Sequence, residues 1–461
     1  MLHPPAFGDS AEAPRTLSAT RVFVDGAFLP ATVTVTDGVI TQISAFDPDA
    51  DVVLPDDAVL LPGLVDSHVH LDEPGRTEWE GFATGTAAAA AGGVTTLLDM
   101  PLNSVPVTTS VAALAAKRAA AQGKLAVDVG YWGGAVPENL GSLRALAEAG
   151  VVGFKCFLSP SGIDEFGHLE PEQLEAALAE LAEFDGLLIV HAEDPAHLGA
   201  EGPLGIHYAD FLASRPPHSE ESAIRMVIEA ARRTGARAHI VHVSDGFALD
   251  AVRQAKADGV RLTVETCPHY LTLRAEDVPD GNAAFKCCPP VRDTVHQDLL
   301  WAGVLDGTID AIVSDHSPST RELKEQGDGD FGLAWGGIAG LQTGLRAIWT
   351  EAQRRGIALE AVLPLMTTGP ARIGGLGGRG TLAVGEPAHL VAFRPDAEQV
   401  VSAGALEYRN KLSPWDGATL RGEVAATWVH GALGFTPEGG IAGRGGREIL
   451  AVSPHTLEGP R

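Results

Sequence analysis

Between Pro62 and about Gly380 the sequence repeats one rhythm, a short apolar run followed by an Ala/Leu/Glu-rich helical stretch. After an opening run at 63–70, apolar runs stand at 95–100, 126–132, 152–158, 187–193, 238–244, 261–269 and 309–317. Helical stretches such as 170–183 and 220–233 separate most of them. Few architectures accept alternating strands and helices of this length. Eight such units predict an α/β chain folded as a (β/α)8 TIM-like barrel, whose chemistry gathers at the C-terminal ends of its strands.

The flanks have another texture. From Thr20 to Leu61 apolar residues alternate with period two, as in Arg21-Val22-Phe23-Val24, with turns at Asp25-Gly26 and Asp37-Gly38. That pattern marks antiparallel strands, and it returns at 389–393 and 425–431. The expectation is a small β-sandwich built from both chain ends, 17–61 and 381–450, around a barrel spanning 62–380, with a loose tail at 1–16. With 45% hydrophobic residues among 461, a sizeable core is available. A net charge of −27 excludes the basic surfaces that bind nucleic acid or anionic membranes. No apolar run is long enough to span a bilayer, and the N-terminus lacks the order of a signal peptide. Four cysteines without a CxxC pattern point to a reducing, cytoplasmic setting.

The metal-competent side chains fall at strand ends. Gly63-Leu64-Val65-Asp66-Ser67-His68-Val69-His70 reads as a strand, with apolar residues entering from Val59. Alternation puts His68 and His70 on one face. Two imidazoles there make half of a metal site, although an isolated HxH is more often a pair of satisfied histidines. Lys155 lies in the fourth run, His191 ends the fifth, His242 the sixth and Asp315 the eighth. A barrel brings such ends together whatever their sequence separation. His239 lies on the opposite face from His242 and reads as packing. His269 reads as a loop histidine holding backbone. Asp99, Glu193 and Asp194 are candidates to support the metal ligands from behind, but read first as solvated or capping carboxylates. Lys155 is the odd member, since an ammonium is no metal ligand. It either pairs with an acid or carries a carbamate, formed from its neutral amine and carbon dioxide, that bridges two metals.

These residues resemble the cyclic amidohydrolases. The carriers are the HxH strand, Gly92-Gly93-Val94-Thr95-Thr96, Gly153-Phe154-Lys155-Cys156-Phe157, Ser314-Asp315-His316-Ser317-Pro318 and Trp335-Gly336-Gly337-Ile338-Ala339-Gly340. The resemblance implies two divalent metal ions per chain, zinc first, with manganese, cobalt or iron fitting the same donors. It implies that His68, His70 and Asp315 bind one metal, that His191 and His242 bind the other, and that carbamylated Lys155 bridges them. Among the branches, dihydroorotases carry an arginine two residues after the second motif histidine, where this chain has Asp72, which would repel a substrate carboxylate. Hydantoinases place a tyrosine shortly after the lysine, where this chain reads Phe157-Leu158-Ser159-Pro160-Ser161. The allantoinase branch fits on both counts, and its texture recurs in Leu212-Ala213-Ser214-Arg215-Pro216 and Met100-Pro101-Leu102-Asn103.

That branch implies opening of the hydantoin ring of a small ureide, allantoin, to allantoate, in a cytoplasmic homotetramer. Asp315 would move the proton. Asn103, Ser317, Cys288, Gly337 and Arg76 would hold the substrate, with Cys288 standing where relatives have serine and Arg76 equally able to pair with Glu73 or Glu78. Hydantoin or dihydropyrimidine hydrolysis is the alternative within the class. A non-catalytic scaffold is the alternative outside it.

Overall fold

A computed structural model describes residues 15–451. Its centre is a closed barrel of parallel strands at Leu64–Val69, Val94–Asp99, Asp128–Tyr131, Phe154–Phe157, Leu187–His191, Arg237–Ile240, Leu262–Thr266 and Ala311–Ile312. Gly133–Gly134 continues the third strand beyond a break at Trp132 and pairs with the fourth. The ring closes where His70 N–H donates to His316 C=O at 2.8 Å, joining the ends of the first and eighth strands. The runs expected at 261–269 and 309–317 shorten, because the chain leaves the ladder to aim side chains into the barrel mouth. His269 accordingly lies in a helix, Pro268–Thr272.

Helices pack around this ring by amphipathic period. In Pro217–Thr234, Ala223, Ile224, Val227, Ile228, Ala230 and Ala231 are buried, a 3.6-residue stripe facing inward. Proline opens that helix and Gly235, at φ 68°, closes it in the left-handed conformation glycine tolerates. Each large side chain of the stripe contributes roughly 1.5–3 kcal/mol, so a charge at Val227 would break the packing.

Both chain ends enter one continuous sheet, in which Val59–Pro62 lies between Thr16–Val24 and Leu390–Val400. It forms the small β-sandwich, with Leu17, Val33, Ile40, Leu60, Leu390 and Trp428 in its core. The apolar run from Val59 into the HxH motif is therefore two strands in two sheets. The division falls at Gly63, where a Cβ would lie 2.0 Å from Thr95 Oγ1. Of the tail expected at 1–16, residues 1–14 lie outside the described residues and Thr16 already begins a strand. Near the other end, Val129 N–H donates to Arg447 C=O at 2.9 Å, so residues around 447 run back onto the third barrel strand.

Candidate metal centre

Six side chains converge at the barrel mouth, and none is more than 7% exposed: His68, His70, Lys155, His191, His242 and Asp315. They line a cleft of about 450 Å³. On one side, His68 Nε2 lies 3.1 Å and His70 Nε2 3.6 Å from Asp315 Oδ1. On the other, His191 Nδ1 and His242 Nε2 face each other at 2.9 Å. The His68 and His242 rings are 5.5 Å apart, so the halves adjoin.

The backbone makes this convergence possible. A register shift between Asp66 and Val69 interrupts simple alternation in the first strand. Asp66 then ties the first strand to the eighth, accepting from His68 N–H at 3.1 Å and Ser314 N–H at 3.0 Å. His242 and Asp315 adopt φ of 39° and 43°, a left-handed conformation costing on the order of 1–3 kcal/mol each that clusters at functional sites.

The electrostatics fit divalent cations. Burial, reinforced by neighbouring cationic groups, pushes His68 and His242 down, and burial also lowers His191. Neutral imidazole is the form that binds metal. His68 Nδ1 is held by Glu265 Oε1 at 2.5 Å and His191 Nε2 by Glu193 Oε2 at 2.8 Å, leaving the other ring nitrogen of each directed at the centre. His242 Nδ1 is buried without a partner among the described residues. Lys155 has no hydrogen bond or ion pair among the described residues; its Nζ sits 5.1 Å from the Phe157 ring centroid. Burial pushes this ammonium down to about 8, against the pull of Asp315 and Glu265. A buried lysine without a paired acid, beside neutral imidazoles, is the arrangement a carbamate would complete.

Several sequence expectations need correction. Glu193 is neither solvated nor a cap but takes the supporting place, its other reading: it is fully buried behind His191 and gripped by Arg215 through Nε at 3.1 Å and Nη2 at 2.9 Å. Asp99 is buried against Lys117 Nζ at 2.6 Å, whereas Asp194 does cap the turn at Pro195–His197. The His269 ring holds no backbone; both its nitrogens lack a partner among the described residues, and one lies within 4.8 Å of donor atoms of Cys267 and Asp315. His239 is buried between Thr263 and Glu265. Asp72 does not line the cleft, and burial followed by the charge of Asp99 pushes its carboxyl well above the usual carboxylate range.

Among the expected substrate contacts, Asn103, Cys288, Ser317 and Gly337 line the cleft and Arg76 does not. Arg76 pairs with Glu165 at 3.0 Å, in place of Glu73 or Glu78, and donates to Asn103 C=O at 2.7 Å. Gly337 has its backbone committed, its N–H to Lys286 C=O at 2.9 Å and its carbonyl to Lys324. Glu265 and Arg215 went unnoticed as site residues, because nothing local in sequence marks a side chain that acts on a partner across the barrel.

A closed barrel with a histidine, lysine and aspartate mouth defines a class, and the chain belongs to it: the amidohydrolase family matches residues 59–434. Within that family, it is 53% identical to an allantoinase of Streptomyces avermitilis, over 90% of this chain and 94% of the relative. An allantoinase of Saccharomyces cerevisiae is 41% identical over 92% of this chain and 96% of its own length. Among solved structures, the L-hydantoinase (dihydropyrimidinase) of Arthrobacter aurescens superposes with a TM-score of 0.88 at 29% identity, covering 95% of this chain and 100% of that one. The family implies a binuclear divalent metal site, and no helix among the described residues is long and apolar enough to cross a membrane.

Proposed function

We propose that this chain hydrolyses the cyclic amide of allantoin to give allantoate. The observation that carries the reading is the pairing of a six-donor mouth with allantoinase relatives matching nearly the whole chain. The residues proposed to hold the metals are His68, His70 and Asp315 for one, His191 and His242 for the other, with carbamylated Lys155 shared; zinc suits these donors first. When bound, two divalent cations supply a water acidified toward neutrality and a Lewis acid for the amide carbonyl.

The chain's own residues do the rest. Asp315 accepts a proton from the attacking water and passes it to the ring nitrogen as the carbon–nitrogen bond breaks. Glu265 and Glu193 hold His68 and His191 in their tautomers. Asn103 and Ser317 offer an amide and a hydroxyl to the ureide, and Cys288 offers its backbone or thiol from the same wall. The assembly proposed from the resemblance is a cytoplasmic homotetramer, and a single-chain mass in light scattering would remove the tetramer. A panel of allantoin, hydantoin, dihydrouracil and dihydroorotate tests the substrate. Allantoin should be turned over far faster than dihydroorotate; the reverse order would end the assignment.

A further inference from the structure

Arg215 ends the helix Tyr208–Ser214 and belongs to a motif that the metal chemistry leaves unexplained. Its Nε and Nη2 clasp Glu193, which holds His191. Its carbonyl accepts from Arg292 Nη1 at 3.1 Å, and Arg292 is itself fixed by buried Glu220 at 2.6 Å, so the backbone beneath Arg215 is anchored. The side chain nevertheless keeps 21% exposure and lines the cleft beside Cys288 and Lys286. Its Nη1 has no hydrogen-bond partner among the described residues and is not among the buried unpaired atoms. One guanidinium thus has two nitrogens spent on the carboxylate behind it and a third left for the cleft. Lys286, next to it, spends its ammonium on the carbonyls of Gly332 and Ala334 at 3.2 and 2.5 Å, with no acid paired to it among the described residues.

We propose that Arg215 forms a carbonyl-binding subsite for the acyclic urea arm of the substrate while holding His191 through Glu193. The inference rests on the ureide reading above. A planar guanidinium presents donors in two directions at once, so this side chain joins recognition of the arm to the geometry of the reacting end. A ring lacking the arm leaves Nη1 unused.

The test compares metal-loaded wild type with Arg215→Met, Arg215→Lys and Glu193→Gln, reading KM and kcat for allantoin and the metal retained after dialysis. Loss of the arm contact should raise KM about 10- to 100-fold in both Arg215 variants, the worth of a hydrogen bond to a charged group. Glu193→Gln should lower kcat and metal retention and leave KM within about threefold. Arg215→Lys keeps the charge and guards against a misfolded Arg215→Met. If the Arg215 and Glu193 variants change KM and kcat alike, Arg215 acts only through Glu193 and the subsite is overturned. A wild type that does not hydrolyse allantoin would instead overturn the ureide reading.

Discussion

Among the described residues, the barrel holds two clusters of one aspartate and two histidines, one at each end. At the mouth are His68, His70 and Asp315; at the floor, Asp128 meets His389, just before the sandwich strand Leu390–Val400, and His430, just after Thr419–Val429. By residue type they are equivalent. Their surroundings are not. Asp128 accepts from His430 Nε2 at 2.9 Å, Arg379 Nη2 at 2.8 Å and Arg447 N–H at 2.8 Å, with His389 Nε2 3.3 Å away. Its lone pairs are taken, and a permanent cation already neutralises it. Burial works to raise its pKa, but the two histidines outweigh that and hold the carboxyl well below the usual range. At the mouth, among the described residues, Asp315 pairs with no lysine or arginine and Lys155 has no acid partner; unpaired imidazole nitrogens occur at both ends, on His242 at the mouth and on His389 at the floor. What separates the two trios is the charge around the aspartate: where an arginine already neutralises it, as at Asp128, the trio is a clasp between two parts of the fold, and where only histidines meet it, as at Asp315, the negative charge is left for a cation.

The comparison can be broken at either end. The largest effect should follow Lys155→Ala, which removes the proposed shared ligand: activity should fall more than about 10³-fold, with most metal lost by elemental analysis. Added acetate or propionate should restore part of both by filling the vacated space. Asp315→Asn is nearly isosteric and should leave folding intact while turnover falls about 10²–10⁴-fold. Activity within about tenfold of wild type would move the proton transfer to another group.

At the floor the effect should be on stability alone. Asp128→Asn should leave metal content and kcat unchanged and cost about 1–3 kcal/mol in denaturant unfolding, the penalty for unpairing buried partners. The sign with pH follows from the depressed pKa. The stabilisation is fully present above the unfolded value near 4 and declines as pH falls below it, so wild type and variant should converge in acid. Metal loss in Asp128→Asn would erase the distinction between the two ends.

Much of this was legible from the chain. The β/α rhythm implied the barrel, and the barrel placed His191, His242 and Asp315 together because strand ends share one rim however far apart they are in sequence. What was not legible depended on a partner's side chain. Glu193 looked solvated until Arg215 closed over it, and Glu265 looked like any strand residue until His68 and His239 met it from two other strands. Asp72 looked placed to meet a substrate, but its burial beside Asp99, away from the cleft, is a property of packing that spacing does not carry. Even the opening strand misled locally, since the apolar run from Val59 continues across Gly63 while the sheet does not.

The most direct test of the account is the state of Lys155 in the loaded protein. Apo-protein reconstituted with divalent metal and carbon-13 bicarbonate should show a carbamate carbon by NMR, absent in Lys155→Ala, and reconstitution depleted of carbon dioxide should leave the site poorly loaded. A crystal structure should show the same added carboxylate on Nζ. A free amine at Lys155 in a fully active, metal-replete enzyme would contradict the account.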